Sequence, residues 1–383
     1  MSELTVYYID DQITNLARRY GDRLARANGF ECRPFPPQLE KLDELVDDPP
    51  DLFLIDYELN RIQEDDTKFP YQGSVLAAII RERIPDCPIV LITRDDIRDD
   101  ILPPNHQKRR QLVERMQMYD ELIFKRDLDN HLDVTRQQLA SIAGGFRQLG
   151  QVENKNKTWT TLFGAMNATK NEAAVLREAN PPLEASPPLE SGEWIVTSAA
   201  YWIRKVVLEF PGILYNSLNA ATRLGISEDS FLKEEVQEIL APAEYTGVFA
   251  VSHNRWWKDR LFEIAQGMAV QSEIRGPINR TFIQVCKKEL GVDLAPSVCV
   301  WDRQPVADWV CYVLQKPVKI KHSFRYYPDN RPSVMANARV SFRAIRESRQ
   351  FDPDLLESRK FDPNLLDIEG VDRLQKIEAL PEP

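Results

Sequence analysis

Two short runs constrain this chain most: LFLID at 52–56 and IVLIT at 89–93. Each is apolar at four successive positions and closes on one polar residue. A strand with one wet face alternates apolar and polar, whereas an unbroken run fits a strand buried on both faces. That is the situation of a parallel sheet covered by helices on both sides. The flanks agree. TVYYID (5–10) is another β-rich run, and Ile13, Leu16, Ala17, Tyr20 and Leu24 then recur at helical spacing before Asn28-Gly29 stops the helix. A strand at 30–34, a helix at 39–46, a helix at 74–84 ended by Pro85, a helix near 107–119, a strand at 121–125 and a helix at 128–143 follow. Five strands, each followed by a helix, predict an α/β doubly wound five-stranded parallel sheet.

With 383 residues the chain is long for one core, so two domains are expected. The first spans 1–148, and the polar stretch LGQVENKNKT holds a linker at 149–158. From 159 to 345 helical spacing dominates, over 163–179, 195–210, 231–240 and 256–266, with an alternating VKIKHSFRYY (318–327) that reads as a strand. This second domain is expected to be mainly α-helical with a little β. NPPLEASPPLES (180–191) carries two PPLE units and reads as an extended, solvated loop. The tail, 346–383, contains a tandem repeat, SRQFDPDLLE then SRKFDPNLLD, identical at seven of ten positions. Each Asp-Pro can open a short helix, because Asp caps and Pro takes the first helical position. Two short packed helices or a pair of docking motifs both fit.

Composition narrows the classes of function. The net charge of −10 (49 basic against 59 acidic side chains) does not draw the whole chain to nucleic acid. The apolar runs are too short to span a membrane and no leader pattern opens the sequence, so a cytoplasmic protein is expected. The five cysteines (Cys32, Cys87, Cys286, Cys299 and Cys311) form no Cys-x-x-Cys pair and sit mostly among apolar neighbours. Reduced, buried thiols are expected, with neither a disulfide nor a zinc framework.

The polar residues that close the strands make one constellation. The first strand ends in Asp10-Asp11, the third in Asp56, the fourth in Thr93 and the fifth in Lys125. In a parallel doubly wound sheet those ends share one edge, where such folds place their sites. Carboxylates crowded into one crevice repel each other, and a hard divalent cation such as Mg2+ relieves that repulsion. A metal-loaded carboxylate beside an ammonium suits phosphoryl transfer, where stabilising charge is most of the catalysis.

With YYIDDQ, FLIDYEL, VLITR and LIFKR in this order, residues 4–145 resemble the receiver domain of two-component response regulators. The 45-residue interval from Asp11 to Asp56 fits as well. The resemblance implies a flavodoxin-like fold and an Asp56 that accepts a phosphoryl group from a histidine kinase or phosphotransfer protein. It implies Mg2+ ligation by Asp11, Asp56 and the backbone carbonyl of Glu58, with Asp10 acting through water. Thr93 and Lys125 then contact the phosphoryl oxygens. It also implies a signalling role; no enzymatic activity beyond accepting that group is expected, and an enzymatic output in the second domain stays open. Departures are visible. Asn60 stands where the family has Pro. The matching Gly73 comes 17 residues after Asp56, beyond the insert NRIQEDDTKFPYQ. Arg94 replaces the usual small residue, Arg126 the usual Pro, and Leu122 the usual aromatic. The stretch between Thr93 and Lys125 is about ten residues longer than usual, against the family pattern in which such strand-end loops carry function. A receiver that binds without being phosphorylated therefore stays open.

The second domain resembles no family. NAATRLGISEDSF (219–231) has the look of a helix-turn-helix with Ser227 as a cap, yet residues 228–240 carry five acids and one lysine. A reading helix of that charge is repelled by phosphates. Lys316, Lys319, Lys321 and Arg325, interleaved with aromatics, suit a nucleic-acid or anion surface, or equally the lysines of a protected edge strand. A DNA-binding regulator is thus the alternative to a protein-interaction output. HNRWWKDR (253–260) reads as packing, with no nucleophile and base at catalytic spacing. A protein partner of the second domain is expected, and a homodimer is left open.

Overall fold

The computed structural model describes residues 4–10, 18–25, 29–59, 72–94, 118–151, 159–179, 196–326 and 338–350. Asp11, the insert at 60–71, the helix expected near 107–117, the PPLE loop and the tandem repeat lie outside the described residues, apart from backbone at 348–350. The chain divides into two compact units. One comprises Met1–Met166, Pro181–Trp202 and Gly247–Ser252; the other comprises Asn167–Asn180, Ile203–Thr246 and His253–Pro383.

In the first unit the apolar runs become strands β1 (Leu4–Ile9), β2 (Phe30–Phe35), β3 (Leu52–Asp56), β4 (Ile89–Thr93) and β5 (Glu121–Phe124). They pair in the order β2-β1-β3-β4-β5, every pair parallel. This is the flavodoxin-like order, with its switch point between β1 and β3. Every residue of β3 and β4 is buried, as the unbroken apolar runs require. Pro34 is confined to β2, an edge strand, where its missing N–H breaks no interior ladder. Phe53, Ile55, Ile89 and Leu91 form one face of the core with Leu76 and Ile80 of the helix Gly73–Arg83. A helix from Leu132 to Gly150 packs against β3, and its Arg147 makes a 2.5 Å ion pair with Asp51, which also accepts the Thr5 amide at 2.8 Å.

Several elements differ from the sequence expectation. β5 ends at Phe124, and Lys125 opens a helix, Lys125–Asn130, because extended Phe124 (ψ 143°) serves as its N-cap. The expected helix at 128–143 is two helices divided at His131 (φ −134°, ψ 43°), and the second runs on to Gly150 with Leu149 fully buried. The expected 163–179 helix is split as well. Asn167 takes a left-handed φ of 60°, and Thr169 with Glu172 forms a capping box that starts a new helix at Lys170.

In the second unit the helix Ser217–Leu224 ends on Gly225 in the left-handed region (φ 80°). A Cβ there would lie 1.8 Å from the Asn279 carbonyl oxygen, so both conformation and space demand glycine. Ser227 caps the next helix as expected, but that helix is only Glu228–Phe231, followed by Glu234–Leu240. WW of HNRWWKDR is a buried two-residue strand, β7 (Trp256–Trp257), pairing antiparallel with β6 (Leu214–Tyr215); the helix begins at Lys258 and runs to Gln271. VKIKHSFRYY is not one strand. β9 (Lys316–Val318) and β10 (Ser323–Tyr326) are separated by a 3-10 turn, Ile320–His322. With β8 (Trp309–Cys311) and β11 (Ala338–Ser341) they form a sheet of order β10-β11-β8-β9.

Candidate functional site

The carboxyl ends of β1, β3 and β4 and the residue after β5 bring Asp10, Asp56, Thr93 and Lys125 to one sheet edge. Asp56 is 3% exposed and Asp10 fully buried. Lys125 Nζ lies 2.5 Å from Asp56 Oδ2, and the Glu58 amide donates to Asp56 Oδ1 at 3.2 Å. Burial pushes the Asp56 carboxyl up to about 6; the Lys125 ammonium pulls the other way, and the Asp10 charge adds to the rise. Charge on Asp56 is thus costly here until a further cation or a covalent change relieves it.

Thr93 is fully buried, and its Oγ1 has no hydrogen-bond partner among the described residues. A buried hydroxyl without a partner costs stability, so its position calls for an explanation. At the end of β4, next to the strand that ends in Asp56, it is available to an oxygen attached there.

Two further residues support this edge: Tyr8, which carries no sequence signal, and Gly73, which the sequence marks. Tyr8 is fully buried in β1, and its hydroxyl donates to Asp10 Oδ2 at 3.0 Å. The helix start at Gly73 fits against the site from below. A Cβ on Gly73 would lie 2.0 Å from the Asp56 carbonyl oxygen, and the Gly73 amide donates to the Tyr57 carbonyl at 2.9 Å. Gly73 therefore holds the place that its matching glycine suggested, despite the long insert. Arg94 is engaged beside the site. Its guanidinium makes two hydrogen bonds to the Glu58 carboxylate, at 2.8 and 3.1 Å. Arg126 lies over the Phe124 ring at 5.5 Å.

The residues fit a hard cation in kind. Buried carboxylates of like charge meet there, they and the Glu58 carbonyl offer oxygen, and the Asp10 charge already opposes ionisation of Asp56. Asp10, Asp56 and the Glu58 carbonyl would hold it, with Asp11, whose placement lies outside the described residues.

Lys316, Lys319, Lys321 and Arg325 are spread over two strands and the turn between them. Lys316 and Arg325 are exposed on β9 and β10, which are opposite edges of the four-stranded sheet. Lys321 is exposed on the turn between them, and Lys319 points to Asp302 at 3.1 Å, its side chain only 16% exposed. The helix Ser217–Leu224 is embedded rather than displayed: Asn219, Ala220, Ala221, Thr222 and Leu224 are buried, and Arg223 stacks on Trp309 of β8 at 4.6 Å.

No family model matches the chain, and no curated protein matches it. Solved structures do resemble it. A CheY-like receiver domain protein from Methanospirillum hungatei JF-1 is 14% identical over 36% of this chain and 97% of its own, with a TM-score of 0.25. A response regulator receiver protein from Sinorhizobium medicae WSM419 is 20% identical over 37% of this chain and 97% of its own, also at 0.25. The signal receiver domain of a putative Luxo repressor protein from Vibrio parahaemolyticus is 12% identical over 39% and 98%, at 0.29. All three are receiver domains. The matches cover about a third of this chain, its N-terminal part. The five-stranded parallel sheet has the order of that fold, and it is the strand order that establishes it. No described helix is long and apolar enough to cross a membrane.

Proposed function

We propose that the first unit is a receiver that accepts a phosphoryl group on Asp56 from a phosphohistidine of a kinase or phosphotransfer protein. The observation that carries this reading is the trio at one sheet edge: a buried carboxylate, a lysine 2.5 Å from it, and a buried hydroxyl with no partner among the described residues. An Asp56 carboxylate oxygen attacks phosphorus. The P–N bond breaks, and the donor imidazole keeps the electron pair and takes up a proton. Asp10, Asp11, Asp56 and the Glu58 carbonyl would hold Mg2+, which would neutralise charge on the phosphoryl oxygens. Lys125 follows that charge outward from the carboxylate, and the Thr93 hydroxyl donates to a phosphoryl oxygen. The acyl phosphate thereby exchanges one ion pair for a new set of contacts, a change of the kind that biases a partner surface. In this reading the second unit is an interaction module and not an enzyme.

A second reading has its own observation. Lys125 already closes on Asp56, and Arg94 is engaged by Glu58, so these charges are paired without a phosphoryl group, which suits a partner-binding receiver that is never phosphorylated. Incubation with acetyl phosphate or beryllofluoride and Mg2+, followed by intact mass and hydrogen exchange, separates the two. An Asp56-dependent adduct, absent in Asp56→Asn, supports the first. A chain that binds neither reagent at saturating Mg2+ leaves only the second.

A further inference from the structure

We propose that Cys299, Asp302 and His322 form a binding site for Zn2+ in the second unit, with the fourth position open to water. One ligand atom from each residue lies within 4.8 Å of the others. Cys299 Sγ is 3.7 Å from His322 Nδ1, and that nitrogen is 3.6 Å from Asp302 Oδ2. The N···O separation is too long for a hydrogen bond. Both separations are close to the edges of a zinc tetrahedron. With Zn–S about 2.3 Å and Zn–N or Zn–O about 2.0–2.2 Å, tetrahedral angles give about 3.6 Å for S···N and about 3.4 Å for N···O.

The backbone builds this corner from two turns. In the first, Cys299-Val300-Trp301-Asp302, the Arg303 amide closes on the Cys299 carbonyl at 3.1 Å, and Arg303 itself is left-handed at φ 55°. Such a conformation is uncommon outside glycine, and the chain beyond it returns to Cys299, whose amide donates to the Gln304 carbonyl at 3.0 Å. The Gln304 amide holds Asp302 Oδ1 at 3.0 Å, leaving Oδ2 for the corner. In the second, the 3-10 turn Ile320–His322 brings in the imidazole. The Lys319 amide donates to Cys299 Sγ at 3.4 Å, which fixes where the sulfur sits beside the imidazole. Cys299 is fully buried, while the Asp302 and His322 side chains keep 20% and 16% exposure, so the corner is dry at the sulfur and open at the rim. Sulfur, imidazole and carboxylate together select a borderline-soft cation over Mg2+ or Ca2+.

A thiol nucleophile with a histidine base fits less well. Both Cys299 and Asp302 approach the same imidazole nitrogen, whereas a base and its orienting acid use opposite ones. Lys319 Nζ, 3.1 Å from Asp302 Oδ2, competes with a cation for that carboxylate. It therefore supplies a variant of opposite sign.

The test uses the full chain carrying Asp56→Asn, which removes a carboxylate from the other site. Co2+ is titrated in as a spectroscopic stand-in, then displaced by Zn2+ in competition with a chelator. The expected result is one Co2+ per chain with a sulfur-to-cobalt charge-transfer band and the intense d–d absorption of a tetrahedral site. Cys299→Ser abolishes the charge-transfer band. Asp302→Asn keeps the band but weakens binding, which guards against misfolding of the cysteine variant. Lys319→Ala strengthens binding about tenfold, the scale of changes around a metal's ligands. The proposal is overturned by the absence of a sulfur band at saturating Co2+, by a band that survives Cys299→Ser, or by a Lys319→Ala variant that binds no more tightly.

Discussion

Asp56→Asn is expected to stabilise the metal-free protein at neutral pH, against the usual direction for a change at a buried polar site. The carboxyl rises from 3.8 to about 6, and burial is the largest cause. At about 1.36 kcal/mol per unit, roughly two units correspond to about 3 kcal/mol. The native state holds the Asp56 proton more tightly than the unfolded chain. Its contribution to stability is thus complete below about pH 4 and is lost as pH climbs through about 6. Above that pH the folded protein carries the cost of a buried charge. Asparagine removes the cost but leaves the 12%-exposed Lys125 without its 2.5 Å partner, which cancels part of the gain. A net stabilisation of about 1–2 kcal/mol at pH 7.5 follows, shrinking to nothing near pH 4.5. Hydrogen exchange of the β3 and β4 amides in the presence of a chelator, compared between variant and wild type at each pH, reads this in the first unit alone. Mg2+ at pH 7.5 should then protect the wild type and leave the variant unchanged. Stability profiles that run parallel from pH 4.5 to 7.5 would refute the reasoning, because they would mean that Asp56 is not raised.

Thr93→Val removes a hydroxyl with no partner among the described residues; stability should stay within about 1 kcal/mol of wild type or rise, while beryllofluoride affinity falls, as calorimetry with Mg2+ can measure. Gly73→Ala drives a methyl against the Asp56 carbonyl oxygen and should cost about 1–3 kcal/mol in urea unfolding, with loss of any Asp56 adduct. Arg260→Met takes from Glu172, 3% exposed, the guanidinium at 2.6 and 2.8 Å and leaves its charge buried with the Thr169 amide of the capping box; about 3–5 kcal/mol of the second unit's stability should go, and adding Glu172→Met should restore part of it in the same unfolding assay.

The two architectures differ in how openly the sequence wrote them. β3 and β4 were readable because a strand buried on both faces must be apolar at every position, and LFLID and IVLIT are. The strand-end residues were readable for a related reason. Parallel strands all point one way, so the residues that close them share an edge without any knowledge of side-chain packing. The helices were less secure. Asn167 in the left-handed region and the Thr169–Glu172 box divide what periodicity joins, because apolar spacing does not register a single turn between two helices. The alternating run 318–327 is interrupted in the same way: the turn Ile320–His322 divides it between strands at opposite edges of one sheet.

By itself the sequence determined the parallel sheet of the first unit and the place of Asp10, Asp56, Thr93 and Lys125 on it, since both follow from local pattern and chain direction. Only the tertiary structure decided the rest. The rise of the Asp56 carboxyl depends on burial and on Asp10 across the sheet, and the need for glycine at 73 depends on the Asp56 carbonyl that it meets. Cys299 and His322 are 23 residues apart along the chain, yet 3.7 Å separates their ligand atoms. Their meeting, with Asp302 in place of the second cysteine of a Cys-x-x-Cys pair, is set by the geometry of two turns, which residue spacing alone does not encode.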